Sequence, residues 1–437
     1  MATLYEQVTE SCFSEKIGEG GLSAGAFETA LGEAGTALPR LEAVRAGDRS
    51  CLLRLPGRKD DLEALVPVAG RYVDAFDDVV VLGTGGATLG GQTLAALAVE
   101  GPVRRPRRSE LHFMDNIDPT TFTALIERLD MRGTGFLVIS KSGGTAETLA
   151  QALVAFQAVR EAVGEEPAAR HFTMITGPGD SPLRRLATGW RVAVLDHDPD
   201  ICGRFSVLSL VGLLPAMIAG LDAWAVREGA EVALRAALEA PRPLACDPAV
   251  GAAISVGLMR ERGTATTVLM PYADRLATFG LWYRQLWAES LGKDGRGTTP
   301  VRAIGATDQH SQLQLYLAGP RDKMFTLITL TRAGEGPRIA VDLAGSGALA
   351  YLRGRTLGDL LDAEQRATAD MLAGHGRPTR EFRLRELNEK VMGALLMHFM
   401  LETIVAADLM GVDPFDQPAV EQGKALARAY LARTAAP

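Results

Sequence analysis

The chain has 437 residues, 47% of them hydrophobic and 23% charged, and carries a formal net charge of −7. That length exceeds one ordinary domain, and the apolar share excludes disorder as the main state. The acidic balance, with no long Lys/Arg run, argues against nucleic-acid and membrane-surface partners, but a locally basic pocket for a small anion is compatible with it.

Cys12, Cys51, Cys202 and Cys246 are scattered, and no pair has CxxC spacing. This argues against zinc and against a disulfide framework, and favours a reducing, cytoplasmic setting. The opening MATLYEQVTESCFSEK lacks the apolar core of a secretory signal, and no run of ~18 apolar residues predicts a membrane span. The six histidines are widely spaced and form no local metal-ligand cluster.

In chain order, residues 1–75 read as helices broken by glycine turns. Strand and helix then alternate: strands at 78–83, 111–116, 135–141, 171–177 and 191–197, with helices at 89–99, 119–130 and 145–163. The pattern restarts with a helix at 247–262, a strand at 264–272 and a helix at 275–291. Strands at 301–305 and 323–330 flank a short helix at 309–317, and a strand at 381–387 precedes a long helix at 388–410. Such alternation predicts βαβ units and an α/β fold of two doubly wound parallel sheets with helices on both faces. The prolines of Glu239-Ala-Pro-Arg-Pro-Leu244 mark a boundary. The expected division is an N-terminal helical segment (1–75), two sandwich domains (76–240 and 241–411) and a C-terminal helical arm (412–437).

Two strand-to-helix loops carry the first chemistry. Gly83-Thr-Gly-Gly-Ala-Thr-Leu-Gly90 brings backbone N–H groups to a helix N-terminus, a place suited to an anion. A dinucleotide fingerprint requires a glycine where Thr88 stands, and a Walker loop requires an absent Gly-Lys-Ser/Thr. A nicotinamide-dependent oxidoreductase, with Asp115 at the end of the next strand, therefore stands as a rival reading. Ser140-Lys-Ser-Gly-Gly-Thr-Ala-Glu-Thr148 gathers three hydroxyls, two glycines and Lys141 at another helix start. That set suits a phosphate monoester. Helix capping is the ordinary alternative, and it accounts for one hydroxyl more readily than for three.

These loops resemble the sugar-phosphate site of the sugar isomerase (SIS) fold, and four further segments narrow the likeness to the phosphoglucose isomerase family. Gly203-Arg-Phe-Ser-Val-Leu-Ser209 resembles that family's GGR(F/Y)S segment, and Gln285-Leu-Trp-Ala-Glu-Ser-Leu-Gly-Lys293 its glutamate segment. Gly305-Ala-Thr-Asp-Gln-His-Ser311 is similar to its histidine segment, and Pro414-Phe-Asp-Gln-Pro-Ala-Val-Glu-Gln-Gly-Lys424 to its terminal lysine segment. The six blocks run in family order from about residue 80 to 425, in the manner of a compact bacterial type.

The resemblance implies reversible isomerisation of glucose 6-phosphate and fructose 6-phosphate through a cis-enediol(ate), in glycolysis and gluconeogenesis, without cofactor or metal. Mannose 6-phosphate remains open as a substrate, and a non-catalytic sugar-phosphate sensor is the remaining rival. Glu289 is implied as the base between C2 and C1, although on residues alone an i,i+4 pair with Lys293 is the better reading. Arg204 is implied to face the enediolate, since a guanidinium keeps its proton beside an oxyanion. His310 and Lys424 are implied to open the sugar ring, His310 from a neighbouring subunit, which implies a homodimer. Ser140, Lys141, Ser142 and Thr145 are the implied phosphate contacts, Gly85 and Gly86 offer backbone amides, and Gln285 and Gln417 bind sugar hydroxyls. His112, His171, His197, His375 and His398 receive no role. Two departures stand out: Ala87 replaces the family's usual serine, with Thr88 beside it, and Cys202 stands where a glycine is common. A lost donor to a charged acceptor costs about 1.5–3 kcal/mol of binding, so weaker affinity or compensation is expected.

Overall fold

The computed structural model describes residues 4–46, 51–98, 109–345 and 347–433. Its strands are β1 (Glu6–Val8), β2 (Asp78–Leu82), β3 (Glu110–Met114), β4 (Thr134–Ile139), β5 (Phe172–Thr176), β6 (Ala193–Asp196), β7 (Thr266–Pro271), β8 (Thr299–Arg302), β9 (Lys323–Leu330) and β10 (Thr379–Leu384). They form two five-stranded sheets, ordered β3-β2-β4-β5-β6 and β1-β10-β9-β7-β8. Every neighbouring pair is parallel except β1 with β10. Helices cover both faces, so Val79, Val80, Val81 and Leu82 are all fully buried. That is why this strand reads as an unbroken apolar run and not as an alternation.

The α/β fold expected from the alternation is the fold observed. The first 75 residues hold a strand as well as the expected helices. Glu6, Gln7 and Val8 pair antiparallel with Arg383, Phe382 and Glu381. Three residues are too few for a period-2 pattern to declare itself, and the strand covers an edge that β10 would otherwise leave bare. The helix expected at 89–99 runs Gly86–Ala95 instead, and its predicted last residue lies outside the described ones.

Each sheet reverses its strand order once, with β2 between β3 and β4 and β7 between β8 and β9. Open α/β sheets bind ligands beyond the carboxyl ends of the strands where the order reverses. The glycine loop follows β2 and the hydroxyl loop follows β4, and these two strands pair directly. A Cβ on Gly83 would lie 3.0 Å from the Ile139 carbonyl. The two segments singled out in the sequence are therefore neighbours at the reversal of the first sheet.

One apolar cluster joins both halves, running from Val79 and Leu137 through Leu214 and Val226 to Trp287, Ile328, Phe382 and Phe399. It crosses the proline-marked boundary, where a short turn (Pro243–Ala245) connects the Ala223–Leu238 and Asp247–Arg262 helices. The Glu389–Met410 helix passes through this cluster. It is long and apolar enough to cross a membrane by length and composition, yet its most apolar window is 94% buried inside the fold. A helix that is apolar all round is expected at such a position.

Candidate active site

Arg204 is the hub of the site. It lies in the Gly203–Leu208 turn with a side chain that is 1% exposed. Its Nε donates to Ser290 Oγ (2.9 Å) and to the Pro414 carbonyl (3.2 Å), and its Nη2 donates to the carbonyls of Pro414 and Asp416. Nη1 donates to Glu289 Oε2 (3.3 Å) and Gln417 Oε1 (3.4 Å). Two of the three guanidinium nitrogens, Nε and Nη2, are thus tied to the protein scaffold, and Nη1 faces the carboxylate.

Glu289 stands near the end of the Ala277–Leu291 helix, with 33% of its side chain exposed. Gln285, one turn earlier, donates Nε2 to Glu289 Oε1 at 2.9 Å, and its Oε1 is buried without a partner. Lys293, the i,i+4 candidate for Glu289, is 2.7 Å from Asp416 Oδ1. The glycine loop closes against these groups. Gly85 has φ +58°, and a Cβ there would meet Gln285 Nε2 at 2.9 Å. A Cβ on Gly86 would lie 2.2 Å from the Gly203 carbonyl carbon, so glycine is needed for the close approach of the two backbones. Cys202 has φ −68° and ψ 149°, an ordinary extended conformation, so its loop needs no glycine there. Thr88 is fully buried and donates Oγ1 to the Gly85 carbonyl at 3.2 Å, so it does not replace the hydroxyl that Ala87 lacks.

The hydroxyl loop forms a second group. Ser140 Oγ and Thr145 Oγ1 are 2.9 Å apart, and Ser142 Oγ accepts from the Gly144 amide at 3.3 Å. Thr145 occupies the N-cap position of the Ala146–Val163 helix, yet its hydroxyl makes no cap hydrogen bond. The capping alternative therefore consumes none of the three hydroxyls, and the helix presents its first N–H groups beside them. Lys141 is half-buried in the same loop, and its carbonyl accepts from the Gly177 amide at 2.9 Å.

Lys424 is exposed on the Glu421–Arg433 helix. One turn later, Arg428 Nη2 donates to the Gly144 carbonyl (3.4 Å), which brings this helix alongside the hydroxyl loop. His310 is exposed at the end of the Thr307–Gln309 turn, and no described side-chain hydrogen bond joins it to either group. Neighbouring Asp308 accepts from the Ile304 amide (2.7 Å) and Ser311 Oγ (2.6 Å). Partial burial raises its pKa, but bonds from Ser311, Gln312 and the Ile304 amide outweigh that and hold the carboxyl below its ordinary value. The structure thus joins Arg204, Glu289, Gln285, Gln417, Gly85 and Gly86 in one cluster and Ser140, Ser142 and Thr145 in another.

Sequence reading missed Ser290, Lys293, Asp416 and Arg428. Ser290 and Lys293 lie in the glutamate segment and Asp416 in the lysine segment, but their hydrogen-bonding geometry leaves no mark in a one-dimensional pattern. Asp115, the rival reading's carboxylate, accepts from Gln92 Nε2 at 3.0 Å and lines a separate cleft of about 830 Å³ with Phe113 and Thr278. Asp78, Glu110 and His112 gather ligand atoms within 4.8 Å of one another at the amino ends of β2 and β3. There His112 Nε2 lies 2.7 Å from Asp78 Oδ1 and its Nδ1 faces Arg128 Nη2, a guanidinium that opposes a cation.

A sequence profile of phosphoglucose isomerases matches residues 67–319. The glucose-6-phosphate isomerase of Rubrobacter xylanophilus is 41% identical over 407 residues, covering 90% of this chain and 93% of that protein. The Thermus thermophilus enzyme of the same name is 37% identical over 401 residues, with the same 90% and 93% coverage. Among solved structures, a hypothetical protein from Thermus thermophilus superposes with a TM-score of 0.82 at 33% identity, covering 98% of this chain and 100% of that one. A glucose-6-phosphate isomerase from Chlamydia trachomatis, 21% identical, reaches 0.80 over 93% of this chain and 86% of its own, a likeness of fold. By these matches the chain belongs to the phosphoglucose isomerase family.

Proposed function

We propose that this protein interconverts glucose 6-phosphate and fructose 6-phosphate by moving a proton between C1 and C2 through a cis-enediol(ate). The observation that carries the reading is Glu289: a partly exposed carboxylate oriented by Gln285 and facing Arg204 Nη1, which it shares with Gln417. The phosphate is held by Ser140, Ser142 and Thr145, by the N–H groups of the following helix start and by the charge of Lys141. Glu289 takes the C2 proton of the open-chain aldose and returns it to C1. Negative charge on the enediolate oxygen falls to Arg204 Nη1, a donor already in place and unable to give up its proton. The amides of Gly85 and Gly86 and the side chains of Gln285 and Gln417 bind sugar hydroxyls, and the unpartnered Gln285 Oε1 supports an acceptor role there. His310 and Lys424 open the ring. The transformation leaves the overall oxidation level unchanged, so proton transfer alone accounts for it and neither metal nor nicotinamide is needed.

The proposal includes a cytoplasmic homodimer acting in glycolysis and gluconeogenesis, in which His310 completes the neighbour's site. Its exposure, outside both clusters of its own chain, supports this. Conversion of fructose 6-phosphate to glucose 6-phosphate in the presence of EDTA, followed by coupled dehydrogenase detection, tests the activity. Turnover is expected, and none would leave a sugar-phosphate sensor as the better reading. Mixing inactive His310→Ala and Glu289→Gln chains under subunit exchange tests the dimer. Recovered activity is expected, and no recovery would place His310 in its own chain's site.

A further inference from the structure

Lys293 follows the helix that carries Glu289, and the chain turns sharply after it through Asp294 (φ 51°), Gly295 (φ 71°) and Gly297 (φ 99°). Its side chain is 11% exposed. Nζ lies 2.7 Å from Asp416 Oδ1 and donates to the Asp413 carbonyl. Asp413 Oδ1 in turn accepts from the Phe415 amide at 2.8 Å, so residues 413–416 form a turn wound around one ammonium. Arg204 grips the same turn from the other side through the Pro414 and Asp416 carbonyls. Cys202 Sγ donates to the Phe415 carbonyl at 3.0 Å, and the Phe415 ring packs against Phe205 with centroids 5.3 Å apart. The next residue is Gln417, the acceptor for Arg204 Nη1.

We propose that Lys293 is a positioning residue for the reaction, acting through Asp416 and Asp413 to fix the turn that holds Arg204 and presents Gln417 and Lys424. This rests on the isomerase reading given above. The pair is half-withdrawn from water, where a charge interaction is stronger than at an open surface. Asp416 is 54% exposed, so removing Lys293 leaves a hydrated carboxylate and not an orphaned buried charge. The expected result is a looser turn in a folded protein, with Arg204 less well aimed.

The test compares Lys293→Met, Asp416→Asn, the double variant and Lys293→Arg in the full chain. Each single neutralising change is expected to lower kcat by roughly 10- to 100-fold, the scale of a small misplacement of reacting groups. The double variant is expected to be no worse than the weaker single, because both remove one interaction, and Lys293→Arg to regain most of the loss. Amide hydrogen exchange should rise over residues 413–424. Competition by inorganic phosphate, which reads the loop at 140–145, should hold within about threefold, and thermal midpoints within about 3 °C. Singles that keep kcat within about twofold of wild type would overturn the proposal, as would losses that multiply in the double. Lost activity with unchanged exchange over 413–424 would also overturn it. Should Lys293→Met fail to fold, the exposed Asp416→Asn carries the same readouts. A wild type that fails to convert fructose 6-phosphate sinks the isomerase reading separately, and exchange then judges the anchoring without activity.

Discussion

Two arginine–glutamate pairs in the molecule are built to opposite ends. Arg380 and Glu402 are both 0% exposed and meet through two parallel bonds of 2.8 and 2.9 Å. Arg380 Nε also reaches Thr326 Oγ1, and His398 joins Glu402 on one side and the Tyr5 hydroxyl on the other. Arg204 and Glu289 meet through a single contact of 3.3 Å, and the glutamate stays one-third exposed. A closed bidentate pair uses its charges on itself and serves packing. An open pair, joined by one long contact and with a reachable carboxylate, leaves its charges accessible to a ligand. Residue type therefore does not separate structural from chemical pairs here; the geometry of the contact within the pair and the access of water to the carboxylate do.

Breaking the closed pair should have the largest effect on stability. Glu402→Ala leaves Arg380 buried without its partner, and urea unfolding should show a loss of about 3–5 kcal/mol. Arg380→Met with Glu402→Leu should recover most of that loss, since an apolar replacement of both partners is often neutral or stabilising. The pair also predicts a pH dependence. Burial raises the Glu402 carboxyl, but the Arg380 charge and the bonds from His398 and Arg380 outweigh it and hold the pKa below its ordinary value. This contribution is fully present above about pH 4.3, the unfolded value, and is lost as pH falls through the lower folded value. An acid titration of stability should show that limb in wild type and lack it in the Met/Leu double variant.

The phosphate loop supplies an intermediate effect. Thr145→Ala should weaken fructose 6-phosphate binding by about 1.5–3 kcal/mol, roughly tenfold or more in apparent affinity. Its urea stability should change by less than about 0.5 kcal/mol, because the hydroxyl caps nothing. A stability loss near 1 kcal/mol with unchanged affinity would return Thr145 to the role of a cap. The smallest effect is a gain: Ala87→Ser restores the hydroxyl that Thr88 does not supply, and kcat/KM should rise by about three- to tenfold. No change would mean that the backbone amides of Gly85 and Gly86 suffice.

Much of this was legible in one dimension because it depends on local chemistry. Short apolar runs, the first ending in glycine and the second in Ser140-Lys141, located β2 and β4, and the order of six short motifs pointed to the family. The three-residue β1 was not legible, since its pairing with β10 is set more than 370 positions away. The partner of Lys293 was not legible either. Spacing put it beside Glu289, whereas the turn at 294–297 and the arm at 413–416 bring it to Asp416. Nor does composition distinguish Arg380 from Arg204, because the internal partners that separate them come from distant segments.

The most direct test of the account follows the proton itself. Fructose 6-phosphate is incubated in D₂O with EDTA, and deuterium at the carbons that exchange through an enediolate is measured for wild type and Glu289→Gln side by side. Exchange and isomerisation are expected with wild type, both lowered by roughly 10²- to 10⁴-fold or more in the variant, while inorganic phosphate still binds and urea stability stays within about 0.5 kcal/mol. Equal exchange by the two proteins would contradict the assignment of Glu289 as the base.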